Sequence, residues 1–196
     1  MSRKLRQVPV RLDSGGTTQL SPADLTAILR AADSLIMSAG RTLLSKILKG
    51  SRDHKIMELK LDACPAFGYF SQLDHVAILA RIDWVILNGY LTIEYSGRLP
   101  LLSYTPQGWE IERDTYSTEL LKRLKDLGLV KCTPDDLSFL KDKNRSLILL
   151  LLDKIADSKD PVYIHVLELW KQIEYKKVRE RIQQVILVLQ ELTTSE

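Results

Sequence analysis

The side chains with the clearest chemical potential in this 196-residue sequence are cations crowded towards its start. Residues 1–60 hold eleven lysines and arginines (Arg3, Lys4, Arg6, Arg11, Arg30, Arg41, Lys46, Lys49, Arg52, Lys55 and Lys60) against five acids, a segment charge of +6. The whole chain carries only +3, so the remainder sums to −3. A basic segment in a nearly neutral protein is a candidate phosphate-binding face. An ordinary solvated surface has the same composition, so position must decide.

Other chemistries find no constellation. His54, His75 and His165 are scattered without metal-ligand spacing, and Cys64 and Cys132 stand far apart without partner motifs. There is no Gly-x-Ser-x-Gly elbow, and the pair Asp135-Asp136 sits at a helix start, where capping explains it. We therefore expect no catalytic residues, no metal and no cofactor. Two isolated cysteines fit a reducing compartment. The basic start, Met1 to Arg6, is followed by no apolar stretch, so it does not read as a secretory signal. The longest apolar run, Leu147 to Leu152, is far short of the roughly 18 residues that span a bilayer. A cytoplasmic protein without a membrane partner is the expectation. With 45% hydrophobic and 27% charged residues the composition is that of a folded domain or two.

The elements that must position the cations follow from periodicity. Val8, Val10 and Leu12 alternate with polar residues and suggest a short strand or extended arm, ending at Asp13-Ser14-Gly15-Gly16. Ser21-Pro22-Ala23-Asp24 combines a cap, a first-turn proline and a first-turn acid, so a helix begins there, carries Leu25 to Ile36 and ends near Ser38-Ala39-Gly40. A second helix spans Arg41 to Lys49 and stops at Gly50. After an irregular stretch with an aromatic loop at 64–70, a third helix runs from Asp74 to Asn88, with Val76, Leu79, Ile82, Val85 and Ile86 expected to be buried. Tyr90 to Tyr95 and Leu99 to Tyr104 flank Ser96-Gly97-Arg98 as a hairpin. Three helices and a hairpin in this order form a winged helix, a helix-turn-helix variant.

From Asp114 the chain reads as helical throughout. The segments expected are Thr115 to Leu127, a helix from Thr133 through Leu147–Leu152 to Ile155, one after Asp160-Pro161 carrying Trp170, and a last one with Val178, Ile182, Val185, Ile186 and Leu189. The fold class is mainly α with a small β-hairpin wing, a winged helix followed by a C-terminal helical domain. The divisions expected are an extended basic arm (1–20), the winged helix (21–113), a connecting helix (114–132) and the C-terminal helical domain (133–196).

One stretch is more specific than the pattern. Gly40-Arg41-Thr42-Leu43-Leu44-Ser45-Lys46-Ile47-Leu48-Lys49-Gly50-Ser51, with Phe67-Gly68, Ile82-Asp83-Trp84-Val85-Ile86, Asn88-Gly89-Tyr90-Leu91 and Leu102-Ser103-Tyr104-Thr105-Pro106-Gln107-Gly108, resembles the RecQ C-terminal (RQC) winged-helix domain of RecQ helicases. The likeness covers about Leu25 to Arg113 and looks closest to a stand-alone bacterial branch, the RQC-minor DNA-binding proteins. Unlike full-length helicases, the chain has no Gly-x-x-x-x-Gly-Lys-Ser/Thr phosphate loop and no room for two motor domains. The resemblance thus implies DNA recognition without ATP hydrolysis.

In that family the basic-Gly-Ser segment after the second helix meets DNA phosphates. The matching positions are Lys49, Ser51 and Lys55, with Arg52 between them; Arg41, Lys46 and, on the wing, Arg98 are further candidates. Gly50-Ser51 acting only as a helix terminator, with solvated lysines, is the plain alternative. The helix from Asp74 to Asn88 offers only His75 and Arg81 as base readers, fewer than major-groove recognition normally employs. The expected activity is therefore recognition of DNA backbone and of end, fork or junction structure. The rival is a protein-interaction module docking a partner through a Trp170 face or the stretch Lys176-Lys177-Val178-Arg179.

Overall fold

The computed structural model describes residues 6–130 and 132–193, with side chains to 191. Arg3 and Lys4 of the basic start lie outside the described residues. The chain separates into two compact units, Met1–Glu112 and Arg113–Glu196.

The first unit is built from α1 (Pro22–Asp33), α2 (Arg41–Lys49), the short α3 (His54–Glu58), α4 (His75–Leu87) and the hairpin β1 (Leu91–Ser96) and β2 (Leu99–Tyr104). The Ser21 side chain caps α1 by accepting from the Asp24 amide, with Pro22 in the first turn, as the sequence requires. Asp74 caps α4 in the same way through the Ala77 amide. β1 and β2 are antiparallel, with Leu91 opposite Tyr104 and Ser96 opposite Leu99. Residues 37–39 extend this ladder: the Met37 amide donates to the Leu102 carbonyl and the Leu102 amide donates to the Ala39 carbonyl. Gly40 follows because a Cβ there would lie 2.8 Å from the Pro100 carbonyl oxygen. The core joins Ile28, Leu29, Leu44, Ile47, Leu48, Ile56, Ile78, Ile82, Val85, Leu91 and Leu102. This is a winged helix: mainly helical, with one two-stranded wing.

Three expectations about this unit need correcting. Val76 is 77% exposed, and the buried stripe of α4 is Ile78, Ile82 and Val85, spaced i, i+4 and i+7. A cap at Asp74 leaves Val76 in the first turn, facing solvent. Trp84 and Trp109, residues that the sequence alone assigns to the core, are half-buried, Trp84 stacking on Tyr90 with ring centres 6.1 Å apart. Residues 6–13 form no assigned strand, yet they are tied to the hairpin. The Val8 amide donates to the Arg98 carbonyl, and the Tyr95 hydroxyl donates to the Val8 carbonyl.

α5 is one unbroken helix, Pro106–Gly128, which begins well before the Thr115 expected. Gly108 allows its first turn to close on the hairpin, since a Cβ would fall 1.9 Å from the Tyr90 carbonyl oxygen. The second unit continues with a 3-10 segment (Pro134–Leu140), α6 (Arg145–Ser158), α7 (Tyr163–Ile173) and α8 (Lys176–Thr193). The 3-10 segment and α6 are separate elements, not the single helix expected. Lys141 is extended, Asp142 has φ +60°, and Asn144 opens α6 afresh by accepting from the Ser146 amide. Leu147, Leu151 and Ile155 of α6, Val166, Leu167 and Trp170 of α7, and Ile182, Val185, Ile186 and Leu189 of α8 are buried. Trp170 is fully enclosed, its indole N–H donating to Glu174 at 2.9 Å, so it presents no face to a partner.

Candidate nucleic-acid interface

α2 buries Leu43, Leu44, Ile47 and Leu48, and its cations Arg41, Lys46 and Lys49 are each half-buried. Its end is a Schellman closure: the Gly50 amide donates to Ile47 and the Ser51 amide to Lys46, with Gly50 at φ +75°. The aromatic loop locks onto this end. Gly68 donates to the Ile47 carbonyl and Phe70 to the Leu48 carbonyl, and a Cβ on Gly50 would stand 3.0 Å from the Gly68 Cα. The Lys49-Gly50-Ser51 motif is therefore a helix terminator fixed from two sides. Being rigid, it also holds the next residues in place.

The seven candidates divide by what already occupies them. Lys49 is committed internally: its ammonium donates to the carbonyls of Ser71 at 2.6 Å and Leu73 at 2.7 Å, stapling the loop before α4. Arg41 is committed too, donating to both oxygens of the buried Asp83 and, at 2.8 Å, to the Arg11 carbonyl. Lys46 pairs with Asp53 at 2.6 Å, both side chains about one-third exposed. That ion pair and the Lys55 amide hold the Asp53 carboxyl below its ordinary range. Ser51 accepts from the Asp53 amide at 3.2 Å and keeps its hydroxyl proton to donate. Arg98 is exposed and donates through Nε to the Arg6 carbonyl at 3.2 Å, leaving the outer guanidinium nitrogens open. Arg52 and Lys55 are exposed with no side-chain partner among the described residues.

Some of these residues meet. Lys46 and Lys55 line one groove of about 370 Å³ with Gly40 and Thr42 of the α2 start and Leu99 and Leu101 of the wing. Arg41 lies instead in a smaller cleft of about 190 Å³, beside Val8 and Val10 of the arm. Arg6 and Arg11, which sequence reasoning counted but did not single out, are exposed on the arm that Arg98 and Arg41 hold. Only the count of cations before residue 12 hinted at them, because pairing of the arm with the wing leaves no local pattern.

α4 has little to read bases with. Arg81 folds back to the Ala77 carbonyl at 3.0 Å and lies over the Phe70 ring, while Asp83 is buried under Arg41. Its exposed positions include His75, Val76 and Leu87. Among the described residues no group of three or more His, Cys, Asp or Glu is placed to hold a metal ion, and no helix is long and apolar enough to cross a membrane.

A winged helix with these motifs can be compared with known families. The family model of the RQC domain matches residues 23–126, over half the chain. The chain belongs to the RQC family. No curated protein matches it, and no solved structure does. The RQC match takes in most of α5, Pro106–Gly128. The RQC domain is a non-catalytic winged-helix domain that generally binds DNA in RecQ helicases.

Proposed function

We propose that this RQC chain binds DNA without catalysing a reaction, gripping phosphates with the segment that follows α2 and favouring ends, forks or junctions over duplex interior. The observation that carries the reading is the pair Arg52 and Lys55, cations without side-chain partners among the described residues, on a segment fixed by the Gly50 closure. Ser51 adds a hydroxyl donor, Lys46 a cation beside Lys55 in the groove, and Arg98 a cation on the wing. Lys49 and Arg41 act behind this surface by holding the loop and α4 in place. Phosphate contacts of this kind position a protein without reading sequence, and the exposed side of α4 adds almost no base-reading groups.

Anisotropy titrations of blunt duplex, forked duplex and a Holliday-type junction test the proposal. The forked or junction DNA binds more tightly, and Arg52→Glu/Lys55→Glu, still folded, loses most affinity for all three. Unchanged binding by the folded double variant would remove this surface, and equal affinity for all three substrates would remove the structural preference.

A further inference from the structure

The second unit holds a groove that DNA binding through the winged helix does not use. It measures about 440 Å³ and lies where α6 and α8 begin. Leu140, Ile148 and Val178 give it an aliphatic floor, and Tyr175 stands at its rim with 74% of its surface exposed. Four cations surround it. Arg145, Lys176 and Lys177 are exposed without side-chain partners among the described residues, and Lys143 lies 5.1 Å from the centre of the Tyr116 ring. Of the two acids present, Glu174 is already used: one oxygen accepts from the Trp170 indole and the other from the Tyr175 amide. Asp142 alone opposes the four cations.

We propose that this groove docks an acidic peptide segment of a partner protein, one apolar side chain entering between Leu140, Ile148 and Val178 while flanking carboxylates meet Arg145, Lys176 and Lys177. Charge complementarity selects the acidic partner. The aliphatic floor selects a side-chain anchor, and Tyr175 is the residue type that closes over such an anchor at low entropic cost. Single-stranded nucleic acid is the poorer fit, because it stacks successive bases on aromatic platforms along a cationic track. Here one tyrosine borders an aliphatic hollow.

Selection of displayed random peptides on the full-length chain tests the site, followed by anisotropy with a labelled synthetic copy of the winning sequence. An apolar residue flanked by Asp or Glu is enriched, and its affinity falls at least about tenfold in both Lys176→Glu/Lys177→Glu and Tyr175→Ala, the scale expected for losing central contacts. DNA affinity and the unfolding midpoint stay unchanged, since these residues are exposed. Three results would overturn the proposal: enrichment without an acidic-apolar pattern, peptide binding insensitive to both variants, or loss of DNA affinity in the charge-reversed variant. The last would assign the groove to nucleic acid.

Discussion

Asp83, buried in the middle of α4, is gripped by Arg41 from the first turn of α2 and also accepts from the Asp13 amide at 2.9 Å. One carboxylate thereby ties two helices of the winged helix to the N-terminal arm. Removing Arg41 would leave Asp83 buried with its main counter-charge gone, a change that typically costs about 3 kcal/mol or more. Arg41→Ala should lower the unfolding free energy read from urea titration by that order while DNA affinity, measured where the variant is folded, changes little. A stable variant with weakened DNA binding would make Arg41 a phosphate contact instead.

Lys49 and Arg52 are three residues apart and should behave differently. The Lys49 ammonium satisfies the Ser71 and Leu73 carbonyls, and hydrogen bonds from a charged donor are each worth about 1.5–3 kcal/mol before solvent competition reduces them. Lys49→Ala should therefore cost about 1–2 kcal/mol of stability and only a small part of the affinity. Arg52→Ala should leave the unfolding transition in place and weaken DNA binding several-fold more. Thermal melts and anisotropy on the same two variants separate the roles.

This difference between neighbours also shows where sequence stops informing. Caps at Ser21 and Asp74, the glycine end of α2 and the hairpin turn at Gly97 are local signals, and the structure places them where periodicity does. Which cation faces solvent is a long-range matter. Lys49 finds carbonyls more than twenty residues away, and Arg41 finds a carboxylate forty-two residues away. Nothing in the motif Lys49-Gly50-Ser51-Arg52 distinguishes the committed lysine from the free arginine. The break between the 3-10 segment and α6 has no local signal strong enough to announce it. The helix start at Thr133 reads on towards Ile155, whereas the extended Lys141 ends the 3-10 segment at Leu140 and Asp142, at positive φ, keeps it from resuming before Asn144.

The Asp53 carboxyl gives the interface a pH dependence of known sign. Its pKa is depressed, first by the Lys46 hydrogen bond and then by the Lys55 amide, so the folded state favours the charged form. The contribution to stability is complete above the ordinary Asp range and is lost as pH falls through the lowered pKa. Nothing changes between neutrality and mild acid. An NMR titration following the Lys55 amide, which donates to the Asp53 side chain at 3.0 Å, should give a midpoint below the ordinary 3.8. A midpoint at or above that value would mean the pair with Lys46 does not hold in solution.

Asp53 also limits the interface, because it neutralises Lys46 beside the two cations that stand free. Asp53→Asn removes that charge while keeping a side chain that caps α3 nearly as well. The expected outcome is a folded variant that binds DNA several-fold more tightly, since Lys46 is released towards phosphate. Salt dependence reads the same change independently. With Arg52, Lys55 and Arg98 each neutralising one phosphate, log K against log[salt] should fall with a slope of about −3, at roughly −0.9 per contact on duplex DNA. In Asp53→Asn the slope should steepen by about one, as Lys46 adds a fourth contact. Tighter binding with an unchanged slope would mean that Asp53 acts only by repelling the backbone and that Lys46 does not touch it. An unchanged affinity and an unchanged slope would place the DNA away from this face of α2.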